Sequence, residues 1–183
     1  MSVKIGREYL EMEEKFKVLI SQEKIQKRLK ELAEQIDEDY KGKEVTIVSV
    51  MRGAVFFTVD LTLKMKTKLK YEFITISSYE GTESTGKITL REDLRESIEG
   101  KDVLIVEDII DTGRSMHFLL NYLKSKKPAS LKVCALADKA ERREIEVPID
   151  YIGFEIPNKY VVGYGFDIDN CYRNIPQIMY VED

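Results

Sequence analysis

Three carboxylates, a Thr-Gly pair and a serine stand within nine residues in "EDIIDTGRS", Glu107 to Ser115, at the end of the apolar run "VLIV". Anions this close repel one another, so Glu107, Asp108 and Asp111 call for a partner: a sugar diol, which donates hydrogen bonds, or a Mg²⁺ ion. The residues that follow suit the opposite charge. Gly113 opens a helical pattern, whose unpaired N–H groups and positive dipole end favour an anion, while Thr112 and Ser115 add hydroxyl donors. One loop thus has a grip for each end of a sugar phosphate. A plainer reading is an Asx turn at Asp111, with acidic residues complementing a helix dipole. It leaves Ile109 and Ile110 in a polar loop without a reason, and a ligand-facing apolar wall would explain one of them. Elsewhere, Arg52 in "MRGA" pairs a cation with Gly53, which lets a ligand approach the backbone. Lys139 in "DKAERRE" offers donors only.

These three stretches share a setting. "VTIVSV", "DVLIVED" and "LKVCALAD" are short β-branched or apolar runs of the kind that form buried parallel strands. "GAVFFTVDLTLKM" from Gly53, and Gly113 to Lys126, read as the helices between them. Upstream, Ser21 is a plausible N-cap, and Ile25, Leu29, Leu32, Ala33 and Ile36 recur at helical spacing before Tyr40-Lys41-Gly42 ends the run. The alternation predicts an α/β fold: a mostly parallel twisted sheet flanked by helices, built from right-handed βαβ units. Ligands of such sheets bind beyond the carboxyl ends of the strands, where all three loops lie. "EGTESTGK", Glu80 to Lys87, has nothing large to bury and predicts a mobile surface connection.

At 183 residues, with 43% apolar and 34% charged side chains, the chain is expected to be one globular domain, 1–183. A formal charge of -4 argues against a nucleic-acid partner held by a broad basic surface. Cys134 and Cys171 lack metal-ligand spacing, and His117 is the single histidine, so neither a zinc enzyme nor a disulfide scaffold is expected. With no secretory leader and no run of about 20 apolar residues, a cytoplasmic protein without a membrane partner is expected.

"VLIVEDIIDTGRS" resembles the phosphoribosyl pyrophosphate (PRPP) motif of type I phosphoribosyltransferases, in the hypoxanthine-guanine branch. The likeness continues through "VMRGAVFF", "ISSYEGTESTGK", "LADKAERRE" and "YIGFEIPNKYVVGYGFDIDNCYRNIP". It implies that Glu107 and Asp108 hold the ribose hydroxyls. Asp111, Thr112, Gly113, Arg114 and Ser115 would wrap the 5′-phosphate, with Asp111 also the proton acceptor near purine N7. Arg52, Gly53 and Arg173 would meet pyrophosphate, and the Met51–Arg52 peptide could be cis. Ile109, Lys139, Tyr160, Val161 and Asp167 would form the base pocket, with Lys139 against the 6-oxo group and Tyr160 stacked on the ring. Glu107, Asp108 and Asp167 would serve Mg²⁺, and a lid near Ser78 and Tyr79 would close. A hood from about 5–21 and 150–183 would cover the sheet. The implied reaction is purine salvage, transfer of phosphoribose from PRPP to N9 of a 6-oxopurine, by a homodimer or homotetramer. The rival is a non-catalytic, PRPP-responsive nucleic-acid-binding regulator on the same fold; it would need a basic face that the composition lacks.

Overall fold

The computed structural model describes residues 16–78 and 88–182. The expectations for the hood before Phe16, for Tyr79 and for the mobile connection up to Lys87 lie outside the described residues. In chain order the elements are β1 (Phe16–Ile20), α1 (Gln22–Asp39), β2 (Glu44–Met51), α2 (Val55–Thr62), β3 (Lys68–Ser78), β4 (Ile88–Glu92), β5 (Asp102–Ile110), α3 (Arg114–Ser125), β6 (Ser130–Asp138), a 3-10 turn (Ala140–Arg142), β7 (Tyr151–Glu155), β8 (Val161–Val162) and β9 (Ile178–Val181).

Six strands form the main sheet in the order β4-β3-β2-β5-β6-β7, and only the edge strand β4 is antiparallel. The α/β reading with a mostly parallel sheet therefore holds. The central strands are buried on both faces, which is why β2 and β5 read as unbroken apolar runs. α1 and α2 pack on one face with Ile47, Leu104 and Val106. α3 packs on the other, with Val48, Val103 and Ile105. Helix α1 starts where Ser21 Oγ accepts from Lys24 N–H, and it buries the five residues its spacing picks out. A second sheet, β1-β9-β8, joins the two ends of the chain in antiparallel register. The segment from Asp150 does not all belong to it: β7 is the edge of the main sheet, with Tyr151 buried and Gly153 pressed onto the Leu136 carbonyl.

Two elements differ in length from their sequence pattern. α2 spans Val55–Thr62, shorter than the run from Gly53 predicts; it lacks a side-chain N-cap, and Thr62 Oγ1 turns back to the Thr58 carbonyl at 2.7 Å. β5 runs on through Ile110, pairing Ile109 with Ala137 and Ile110 with Asp138. Both isoleucines are thus sheet residues. Ile110 is buried against α3, while Ile109 points to the other face.

Candidate functional site

The chain leaves β2 through α2 toward β3 on one side, and leaves β5 through α3 toward β6 on the other. The strand order reverses between β2 and β5, and their ladder stops at Ser49 opposite Val106. Beyond that point a cavity of about 260 Å³ opens, lined by Met51 and Gly53, by Glu107 through Gly113, and by Ser115 and Met116 at the start of α3. This is the crevice where open α/β sheets take their ligands. Gly113 adopts φ 84°, and a Cβ there would strike the Ile145 carbonyl, so glycine is needed both for conformation and for space. Gly113 has no side chain to cap α3, and among the described residues only Thr112 Oγ1 meets the helix start, accepting the Arg114 N–H at 3.4 Å, which leaves the next helix N–H groups for a ligand.

Glu107 and Asp108 are the charged heart of the cavity. Burial first, and the Asp108 charge second, push the Glu107 carboxyl well above the ordinary carboxylate range. Burial raises Asp108 as well, held back by hydrogen bonds from Glu107 and the Ile109 N–H and by the charge of Arg173. Gly53 packs directly on the Asp108 carboxyl, where a Cβ would collide. That glycine makes room for a carboxylate of the site, a tighter constraint than the ligand approach its sequence suggests. Asp111 is divided: Oδ2 accepts from Arg142 Nη1 at 2.9 Å, while Oδ1 is buried without a partner among the described residues.

Lys139 follows the end of β6, and its N–H donates to the Ile110 carbonyl at 2.9 Å, tying it to the loop. Its side chain is buried, and among the described residues its ammonium makes no hydrogen bond or ion pair. Burial lowers its pKa, with the Asp111 charge pulling the other way. Arg52 is exposed, and the Met51–Arg52 peptide is cis. Asp167 is paired with Arg173 at 2.6 Å and accepts from the Asn170 N–H, and Arg173 also donates to the Gly165 carbonyl. Gly165 in turn abuts the Gly53 carbonyl, so this hood turn rests on the β2 loop. Among the described residues no three His, Cys, Asp or Glu side chains converge as a metal site; Glu107 and Asp108 adjoin, while Asp167 faces Arg173. Tyr160, 64% exposed, lines a separate hollow of about 530 Å³ with Lys159 and Tyr180, and Val161 is buried in β8. Ser78 closes β3 opposite Ile88.

Sequence reasoning missed the strap over the loop. Arg143 donates to the Asp111 carbonyl, at 3.1 Å, and to the Ile110 carbonyl, and it pairs with buried Asp138. The N–H groups of Glu144 and Ile145 both donate to the Thr112 carbonyl, and Glu144 pairs with Arg114. "DKAERRE" stands out in sequence through Lys139 and its place at a strand's carboxyl end, and nothing in its residue types sets Arg143 apart from Arg142. A larger hollow, about 770 Å³, lies at the opposite end of the strands between Tyr40–Glu44 and Lys66–Lys68. Its charges are of both signs, with Lys68 and Lys70 paired to Glu44, so no ligand chemistry converges there.

Comparison with known proteins agrees with this geometry. The phosphoribosyl transferase domain family matches residues 19–169. A hypoxanthine-guanine-xanthine phosphoribosyltransferase of Tritrichomonas foetus is 50% identical over 91% of this chain and 92% of its own length. A hypoxanthine-guanine phosphoribosyltransferase of Aquifex aeolicus is 43% identical over 92% of this chain and 96% of its own. The crystal structure of a hypoxanthine-guanine phosphoribosyltransferase from Bacillus anthracis superposes with a TM-score of 0.85 at 42% identity, covering 90% of this chain and 97% of that one. By motif, fold and similarity along nearly its whole length, the chain belongs to the phosphoribosyltransferase family, in its hypoxanthine-guanine branch.

Proposed function

We propose that this chain, as a single domain with a hood at its two ends, transfers the 5-phosphoribosyl group of PRPP to N9 of a 6-oxopurine. Hypoxanthine and guanine would give IMP and GMP, with release of pyrophosphate. The observation that carries the base assignment is Lys139: a buried ammonium without a partner among the described residues is a donor waiting for an acceptor. A 6-oxo group meets it and a 6-amino group does not.

The rest of the site follows from its chemistry. Thr112, Ser115 and the start of α3 would take the 5′-phosphate, with Arg114 flanking them. Glu107 and Asp108 would accept hydrogen bonds from the ribose hydroxyls and favour positive charge developing at C1. Asp111 Oδ1, buried and without a partner among the described residues, would accept the proton from purine N7, while Arg142 holds the other oxygen. Ile109 would pack beside the base, Tyr160 would stack on it, and the Val161 carbonyl would meet its edge. Arg52, Gly53 and Arg173 would receive pyrophosphate, and a lid at Ser78 and Tyr79 would exclude water. The donor set fits a hard divalent cation: two adjacent carboxylates, Glu107 buried and Asp108 half-buried, with no ion pair to either among the described residues. Glu107 and Asp108 would hold Mg²⁺, and Asp167 would assist once free of Arg173; the bound ion supplies neutralisation of the leaving pyrophosphate.

The active form would be a homodimer or homotetramer. Phe56, Val59 and Leu63 recur along one side of α2 and are exposed. Tyr71 and Phe73, also exposed, stand opposite Ile47 and Ser49, and Ser49 bonds to Thr58 of α2, so both rings lie on the same side as that helix. Exposed apolar side chains gathered on one side in this way favour a second copy. PRPP is too highly charged to cross a bilayer unaided, so the reaction would run where PRPP is made, which favours the cytoplasm. Nucleotide formation from PRPP with hypoxanthine, guanine, xanthine and adenine tests the reading. Hypoxanthine or guanine should be favoured at least about a hundredfold over adenine. Comparable use of adenine would remove the role given to Lys139, and no turnover with any base would remove the activity.

A further inference from the structure

Residues 138–145 grip every residue from Ile110 to Gly113. The Lys139 N–H and the Arg143 guanidinium meet the Ile110 carbonyl, Arg143 Nε meets the Asp111 carbonyl at 3.1 Å, and two N–H groups meet that of Thr112. The Arg143 side chain is 8% exposed, Asp138 stands against it as counter-charge, and its Cδ lies beneath Gly113, 3.0 Å from where a Cβ would sit. A buried guanidinium is costly to desolvate, and a surface turn does not need one. Its planar fork, however, spans two carbonyls and a carboxylate in one fixed geometry, which the compact ammonium of a lysine on a flexible stem does not reproduce.

We infer that Arg143 is a positioning residue for the phosphate loop: locked by Asp138, it fixes the backbone of Ile110 and Asp111 and so sets where the loop presents its phosphate-facing groups. The inference rests on the phosphoribosyl-transfer reading above. Lys139, next to Asp138, has an anchor of its own in the bond from its N–H to the Ile110 carbonyl, so the base-facing side does not depend on the ion pair.

The test uses the full chain and three variants: Arg143→Gln, Arg143→Lys and the double variant Asp138→Asn/Arg143→Gln, the last of which keeps polar groups but leaves no unpaired buried charge. The double variant should melt cooperatively near the parent, with a KM for PRPP raised at least about tenfold and a KM for hypoxanthine changed less than about threefold. Arg143→Lys should not restore PRPP binding. A folded double variant with an unchanged KM for PRPP, or with both KM values raised equally, overturns the inference. Hydrogen exchange of the ligand-free protein reads the clamp without turnover: amides of Thr112 to Ser115 should exchange faster in the double variant, and unchanged protection overturns the inference whatever the activity. Absence of turnover in the parent would instead overturn the transfer reading alone.

Discussion

Glu107 and Asp108 stand where a stability-minded sequence would put neutral side chains, since burial opposes the charge of both and the Asp108 charge further opposes that of Glu107. Arrangements of this kind trade stability for a ligand that is not yet there. Glu107→Gln is accordingly expected to stabilise the ligand-free protein by about 1 kcal/mol at neutral pH while weakening PRPP binding. Denaturant melts in a chelating buffer, set beside the KM for PRPP, check both halves; a destabilised variant would mean that the charged pair is structural. Asp111→Asn keeps an acceptor for Arg142 but gives up a base, so turnover should fall about 10² or more with PRPP binding retained. Single-turnover rates and a PRPP titration separate the two effects. At this scale much was legible: residue types alone mark Glu107 to Ser115 as a sugar-phosphate loop. What stayed hidden was Arg143, because in sequence a buried guanidinium and a solvated one look alike.

Elements matter here through how their ends are fastened. Asp37, near the end of α1, accepts hydrogen bonds from the N–H groups of Lys66 and Thr67 and from Thr67 Oγ1, pinning the connection into β3. Burial works to raise its pKa, but these donors outweigh it and the carboxyl lies below its ordinary value. A depressed native pKa contributes stability that is present above the unfolded value, 3.8, and is lost as pH falls through the lower native one. Asp37→Ala should therefore cost about 1 to 2 kcal/mol at neutral pH, and its deficit should shrink in acid. Urea melts at pH 7 and pH 3 check the sign; a deficit that grew in acid would refute it. The helices α1 and α3 and the central strands could be read from periodicity because their faces are set locally. β8 could not: two residues, Val161 and Val162, are a strand only because Met179 and Tyr180 lie beside them. The end of β5 escaped notice for the same reason, since the pairing of Ile109 and Ile110 with β6 is what makes them strand.

For the whole molecule, the apolar face of α2 and β3 is the feature the monomer does not use. Leu63, 80% exposed, and Phe73, 51% exposed, contribute nothing to the core. The double variant Leu63→Glu/Phe73→Glu should keep the parent's circular dichroism but run as a monomer in size-exclusion chromatography with light scattering. An unchanged mass would move the self-association surface elsewhere. The order of the main sheet has a further consequence, in time rather than space. β2 obtains β3 as a neighbour soon after it is made, but its other neighbour, β5, comes only after β3 and β4, with Val45 facing Asp102. About 50 residues of synthesis separate the two, several seconds at roughly 5–20 residues per second, during which one flank of β2 stays open. Since the crevice has Met51 and Gly53 on one bank and Glu107 to Gly113 on the other, no nascent chain that ends before β5 has both banks of it. PRPP can stabilise the finished enzyme, but it cannot guide an unfinished one, and the open flank of β2 has to be guarded by other means.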